Sequence, residues 1–343
     1  MSKDSLSVQG IVELASAFYG SAVLFAALEL DLFTVLGRAG GGATAERLAE
    51  KRNVNPRGLR LLLDACVAVG LLGKEGEYYS NSPAVSQSLV SGSPQDLTRA
   101  VGYNRDVYPM WGRLSELVRT GQPVEAPEVH LGEDAERTRR FVLAMHGRAQ
   151  GIGRSVVPLL DLGGCRHLLD LAGGPGTYAV LMAQANPALS CVTVDLPAVS
   201  AVAAELVRSS GFSERVECRC GDYHTDSYEE GAFDAVTIFG ALHQESPQQI
   251  VSILKRAYVA LKAGGQIFIL DMMTDSTHTR PPFSALFAVN MALTTENGWV
   301  FSDEELKGWL TEVGFEACQT QPIPPPMPHW LVSARKATQL ARQ

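Results

Sequence analysis

The chain has 343 residues, 46% hydrophobic and 19% charged, and 29 Lys+Arg against 37 Asp+Glu give a formal net charge of −8. This globular composition has room for two domains, and its acidic balance argues against a protein that coats nucleic acid or an anionic membrane. The apolar stretch Ser21 to Phe33 is broken by Glu29 and Asp31, short of the ~18 uninterrupted apolar residues of a membrane span, and Met1-Ser-Lys-Asp-Ser shows no basic region leading into an apolar core, so the expectation is a cytoplasmic protein with no membrane and no nucleic acid among its partners.

From Leu14 to about Val157 the pattern is helical, with a Gly-rich break at Gly40-Gly41-Gly42. Thr44 caps a short helix, Glu46 to Lys51. Asn55-Pro56 opens another, with Leu59, Leu62, Leu63, Cys66 and Val67 on one stripe, ended by Gly70. Gly73 to Gly76 reads as a turn before Tyr78-Tyr79, which completes a winged-helix pattern. Such a module often binds DNA, yet Thr44 to Gly76 holds six Lys/Arg against four Asp/Glu, too balanced for a surface that tracks phosphates. Further on, Trp111, Leu114, Leu117 and Val118 share a stripe that reads as core.

At His167 the period changes and strand-like runs alternate with helix-like ones, the signature of a parallel α/β sheet. The expected strands are His167–Leu171, Cys191–Leu196, Val216–Cys220, Ala235–Phe239 and Gln266–Leu270. The helices between them are Tyr178–Ala185, Val199–Ser210 and Pro247–Leu261. Runs near Cys318 and at Trp330–Ala334 close the sheet as a hairpin, joined through Pro322–Pro328 as a rigid connector. The domain expectation is 1–157, helical and winged-helix-like, followed by 158–343, an α/β ligand-binding domain.

Asp170-Leu-Ala-Gly173-Gly174-Pro-Gly176 ends the first of these strands and opens a helix, where glycines let the backbone turn tightly and approach a ligand. Gly174-Pro-Gly176-Thr-Tyr-Ala179 alone also fits a dinucleotide fingerprint, a weak signal. Asp195, closing the second strand, can accept the ribose hydroxyls of an adenosine, which leaves NAD and S-adenosylmethionine tied. Gly221-Asp222-Tyr223 at the third strand end favours the methyl donor: an acid for the adenine amine stands beside an aromatic ring to cover the base.

These motifs, with Val194-Asp-Leu-Pro197, Leu242-His243, Leu261-Lys-Ala-Gly-Gly265 and Gly314-Phe315 in order, resemble the small-molecule O-methyltransferase superfamily that includes plant caffeic-acid, animal acetylserotonin and bacterial polyketide enzymes. The resemblance runs from His167 to Lys336, and the N-terminal region is similar to that family's dimerisation domain. It implies a Rossmann-like class I methyltransferase domain, a mostly parallel sheet with a terminal antiparallel hairpin, preceded by a helical winged-helix-like dimerisation domain. It further implies a homodimer that binds S-adenosylmethionine and releases S-adenosylhomocysteine. Gly173, Gly174 and Gly176 would then line the methionine part of the donor, Asp195 the ribose, and Asp222 with Tyr223 the adenine, with Asp170, Leu196 and Phe239 as further cofactor-binding residues.

His243 follows the fourth strand, where open α/β sheets place their sites, and the resemblance makes it the general base, with Asp271 orienting it. The family continues from this histidine with an acid or amide and then tryptophan; here Glu245 replaces the aromatic. A second family carboxylate would fall near Trp299–Val300, neither of which can serve, so Glu296 is the substitute. The resemblance also implies acceptor contacts from Met145 and His146 and, on the helix after Asp271, from Phe287, Asn290 and Met291. A runner-up is carbon methylation with a metal on His243, Glu245 and Glu296, but Gln244 is a poor ligand and no second histidine aligns, so no metal is expected. A non-catalytic DNA-binding regulator on the same fold and an NAD-dependent oxidoreductase are the rivals of other classes. The expected activity is methylation of a hydroxyl on a small, aromatic specialised metabolite.

Overall fold

The computed structural model describes residues 6–93, 95–125, 134–323 and 328–338. They form two compact units, Met1–Asp106 and Val107–Gln343.

In the first unit α1 (Val8–Ser16), α2 (Phe18–Glu29), α3 (Leu32–Arg38), α4 (Ala45–Arg52) and α5 (Pro56–Ala68) lead into a hairpin, β1 (Leu72–Glu75) and β2 (Tyr78–Asn81), and then α6 (Pro83–Ser88). Thr44 and Asn55 cap α4 and α5 by accepting the N–H three residues on. Gly73 to Glu75 belong to the strand and not to a turn: Gly73 pairs with Ser80 and Glu75 with Tyr78, so the chain reverses at Gly76-Glu77. Leu48, Leu59, Leu63, Cys66 and the fully buried Tyr79 ring form the core of this unit. The apolar stretch at the start is longer than Ser21–Phe33: Val8–Glu29 as a whole is long and apolar enough to cross a membrane by length and composition alone. Ile11, Val12, Leu14, Phe18 and Tyr19 on it are exposed.

The helix α7 (Thr98–Trp111) runs from the first unit into the second, followed by α8 (Leu114–Thr120) and the long α9 (Ala135–Val156). The stripe expected to be core is not: α8 contributes no buried residue, Val118 is exposed, and Trp111 is half-buried. A seven-residue helix with this little cover does not bury its Leu114, Leu117 and Val118, and Trp111 belongs to the end of α7. In contrast α9 packs on the two helices that follow the first two sheet strands.

Those strands and helices alternate as β3 (His167–Leu171), α10 (Thr177–Ala185), β4 (Ser190–Asp195), α11 (Pro197–Ser209), β5 (Val216–Cys220), β6 (Phe233–Phe239), α12 (Pro247–Ala260), β7 (Leu261–Asp271), α13 (Pro282–Thr294), α14 (Asp303–Val313), β8 (Phe315–Pro322) and β9 (Trp330–Lys336). Among the described residues seven strands make one sheet in the order β5-β4-β3-β6-β7-β9-β8. The first five are parallel; β9 runs antiparallel to both its neighbours, β7 and β8, so β8 keeps the direction of the first five. The order reverses at β3, which places β4 on one side of it and β6 on the other and makes its carboxyl end the crevice where such sheets bind ligands. Leu261 to Gly265 continue β7 instead of ending α12, because Leu261 already pairs with Phe233 across a bulge. Residues 324–327 of the expected connector lie outside the described residues. Apolar layers cover both sheet faces, one under α12 and α14 and one under α10.

Candidate active site

The glycine loop after β3 is shaped by close approach. Gly174 and Gly176 have φ of 53° and 68°, a region L side chains avoid. At Gly173 an added Cβ would collide with Thr193 Oγ1 and with the Asp170 carboxylate. Asp170 itself is buried, accepts the Thr237 hydroxyl at 2.7 Å and has no partner at Oδ2. Burial pushes its pKa up to about 7, against the pull of the Thr237 and Thr193 hydroxyls. Asp195 at the end of β4 accepts the N–H of Gly174 through Oδ2 and of Leu196 through Oδ1, both at 2.8 Å. Burial raises its pKa while these two N–H groups oppose the rise. A crevice with this shape fits an adenosyl-methionine group: a cradle that a Cβ would fill, and a strand-end carboxylate with a spare lone pair on each oxygen.

The third strand end carries more than Asp222 and Tyr223. His224 stands beside them, its Nδ1 2.9 Å from Asp222 Oδ1 and its Nε2 2.9 Å from Glu245 Oε2, while Tyr223 OH donates to Glu245 Oε1 at 2.7 Å. Glu245 is therefore engaged with this loop. Phe239, at the end of β6, packs edge-on against Tyr178 with centroids 5.0 Å apart.

After β6 the chain makes a short 3-10 turn, Leu242–Gln244, that presents His243. The side chain is buried, and Nδ1 lies 2.6 Å from Asp271 Oδ1 at the end of β7. Two backbone N–H groups fix the same carboxylate, His243 N to Oδ2 at 3.3 Å and Met272 N to Oδ1 at 2.8 Å. With Nδ1–H donated to Asp271, Nε2 is the imidazole nitrogen left to accept a proton. Trp299 holds the turn from outside, its N–H on the His243 carbonyl at 2.9 Å and its indole N–H on the Glu245 carbonyl at 2.8 Å.

Phe287 meets the His243 ring edge-on at 5.2 Å between centroids. Asn290 is buried and accepts the Trp111 indole N–H at 3.0 Å, so its polar partner within the chain is a residue that sequence reasoning had assigned to the core. Met291 is buried on the same helix. From α9, Met145 is half-buried, and His146 bonds Thr177 at 2.7 Å in a cavity lined from α9, α10 and α11, with no residue of α13. Glu296 is exposed and has no hydrogen bond or ion pair with His243 or Asp271. Among the described residues no three His, Cys, Asp or Glu side chains are grouped as metal ligands.

Sequence reasoning missed His224, Trp299 and His329. His329, just before β9, is buried with Nδ1 unpaired, and burial, with Arg148 and His243 nearby, pushes its pKa down to about 4. Its only signal in the sequence is a lone histidine between prolines and a strand.

A family model described as an O-methyltransferase domain matches residues 121–316, and one described as an O-methyltransferase dimerisation domain matches residues 12–91. The chain belongs to the O-methyltransferase family. It is 34% identical over 324 residues to the tetracenomycin polyketide synthesis 8-O-methyl transferase TcmO of Streptomyces glaucescens, covering 92% of this chain and 94% of that one. It is also 28% identical to an L-tyrosine C(3)-methyltransferase of Streptomyces lavendulae, with 97% and 94% covered. The crystal structure of human N-acetylserotonin methyltransferase in complex with SAM superposes with a TM-score of 0.87 at 27% identity, over 98% of this chain and all of that one. The family's O-methyltransferase unit is thus the α/β unit described above, with its mostly parallel sheet, and the helical N-terminal unit is its dimerisation domain.

Proposed function

We propose that this enzyme transfers the methyl group of S-adenosylmethionine to a hydroxyl of a small aromatic metabolite, with His243 as general base and Asp271 as the group that orients it. The observation that carries the reading is the buried His243–Asp271 pair at 2.6 Å, three donors holding the carboxylate and Nε2 left free. The donor supplies an electrophilic methyl on a sulfonium, so the protein has to align the acceptor oxygen and take its proton. A free phenol has a pKa of about 10 and an imidazole about 6.5, so the proton moves to Nε2 as the new C–O bond draws charge from the oxygen. Phe287 against the imidazole, with Asn290 and Met291 on α13, would form one wall for a flat acceptor. The loop Gly173 to Gly176, Asp195, and Asp222 with Tyr223 would hold the methionine, ribose and adenine of the donor. The match of the N-terminal unit to a dimerisation domain, together with exposed Ile11, Val12 and Phe18 on α1 and α2, supports a homodimer.

Likeness to a tyrosine C(3)-methyltransferase supports a second reading. Deprotonating a phenol also makes its ortho carbon nucleophilic, so the same base would serve carbon methylation. Carbon-13 NMR after incubation with methyl-labelled S-adenosylmethionine and a panel of phenols, naphthols and hydroxyquinones, with and without chelator, separates the two. The expected product is a methoxy signal indifferent to chelator and lost in His243→Ala. A carbon-bound methyl in place of the methoxy signal would overturn the proposal, and its loss with chelator would add a metal to the site.

A further inference from the structure

Glu245 stands where the family's pattern has an aromatic residue, and its surroundings explain the exchange. It is buried, and both its oxygens are taken by the loop after β5: Oε1 by the Tyr223 hydroxyl and Oε2 by His224 Nε2. The other ring nitrogen of His224 reaches Asp222 Oδ1, which also accepts the His224 backbone N–H at 2.8 Å. The Tyr223 and His224 rings lie 4.5 Å apart, tilted by 35°. Trp299 ties the carbonyls of His243 and Glu245 together from the other side. A continuous set of hydrogen bonds therefore runs from the turn that carries the base to the pair assigned to adenine.

We propose that Glu245 and His224 are positioning residues, a clamp that orients Asp222 and Tyr223 for the adenine of the cofactor and is closed only while His224 is protonated. The proposal rests on the adenine assignment of Asp222 and Tyr223. An imidazolium has two N–H donors and a neutral imidazole one, so only the charged ring donates to both carboxylates. Burial pulls the His224 pKa down, but the carboxylates of Glu245 and Asp222 outweigh it and hold the pKa above the ordinary imidazole value. The surrounding charges are Asp226, which accepts the Asp222 N–H at 3.0 Å, Asp195, whose charge bears on the Tyr223 phenol, and Arg256 of α12, which donates to the carbonyls of Thr225 and Asp226. As pH rises through the His224 pKa, the ring loses one proton and one of its two bonds. Asp222 or Glu245 then loses its bond to the ring and keeps only its other donor, the His224 backbone N–H or the Tyr223 hydroxyl, and the cofactor binds more weakly.

The test is calorimetric binding of S-adenosylhomocysteine to the full-length enzyme between pH 6 and 9, for wild type, His224→Gln, Glu245→Gln and Asp222→Ala. In wild type the Kd is expected to rise about tenfold across the window, the worth of one charge-assisted hydrogen bond. In His224→Gln it is expected to be weak and flat, and in Glu245→Gln weak with a smaller pH response; in both, KM for the cofactor should change far more than kcat. A His224→Gln curve that follows wild type would overturn the clamp. An Asp222→Ala protein that binds as tightly as wild type would instead overturn the adenine assignment. Should the variants not fold, NMR titration of His224 in wild type decides alone: its pKa is expected to rise on saturation with S-adenosylhomocysteine, and an unchanged pKa would refute the clamp.

Discussion

His243 and Asp271 divide the catalytic work in a way that single substitutions can separate. His243→Ala removes the proton acceptor and leaves the glycine loop and Asp195 in place. The expected loss in kcat is about 10²–10⁴-fold, with the Kd for S-adenosylhomocysteine unchanged by calorimetry. Asp271→Asn keeps the shape but presents an amide to Nδ1, so the imidazole is no longer held with its lone pair at Nε2; kcat falls in the same direction. Equal activity in Asp271→Asn would show that the carboxylate does not set the tautomer. Asp170 yields a prediction with a definite sign. Its pKa is near 7 in the fold and about 3.9 in an unfolded chain. Between those values the unfolded chain releases a proton that the folded protein keeps, so stability contributed by this group is full below about pH 4 and declines as pH rises toward 7. Asp170→Asn, whose carbonyl can still accept from Thr237, removes that decline. Its Tm is expected to exceed wild type at pH 8 and to converge with it near pH 4; a Tm difference that stays constant across a pH series of thermal melts would contradict the assignment.

At the scale of elements, the loop between β3 and α10 is the part with least tolerance. Gly173 has no room for a Cβ, since Thr193 Oγ1 and the Asp170 carboxylate occupy that space. Gly173→Ala must displace the loop from Asp195, whose Oδ2 accepts the Gly174 N–H. The protein is expected to stay folded, because the core layers under α10 and α12 do not depend on this loop, yet to lose cofactor binding by about tenfold or more, the worth of a hydrogen bond to a charged group. Circular dichroism with calorimetry reads both quantities, and wild-type affinity in a folded Gly173→Ala protein would refute this. Helices α12 and α14 are fixed differently. Ser246 with Gln249 and Ser302 with Glu305 form capping boxes at their starts, and Gly314 ends α14 at a φ of 108°. These local devices put Leu306 and Leu310 under the sheet, where they are fully buried.

Over the whole molecule, the exposed apolar residues of α1 and α2 are not covered by any of the described residues. A second copy is the occupant that the dimerisation match supports, and burial of such a patch is strongly favourable in water. Sedimentation equilibrium is expected to give twice the chain mass. Ile11→Glu with Phe18→Glu should shift the protein to the monomer without unfolding the α/β unit. A monomeric wild type would refute the dimer.

Much of the site could be read along the chain because its residues occupy strand ends, and strand ends are marked locally. Asp195 and Asp271 close strand-like runs, Asp170 stands one residue before the end of another, Asp222 follows the end of β5 by two residues, and His243 follows an apolar run. Strand-like runs gave the strands, glycines the loop after β3, and Thr44 and Asn55-Pro56 the starts of two helices. What could not be read is which strand end faces which. His243 is held by Asp271 because β6 and β7 are neighbours, and Glu245 reaches Tyr223 and His224 across the tops of strands that the sequence lists far apart. The same holds for Trp111 with Asn290, 179 residues apart, and for the burial of His329 with its Nδ1 unpaired among the described residues. Local pattern depends on the period of a strand or helix and on the chemistry of its caps, so the sequence alone carries it. Long-range partnership depends on sheet order and on side-chain packing, so only the folded chain decides that Glu245 braces the adenine loop while Glu296 faces water.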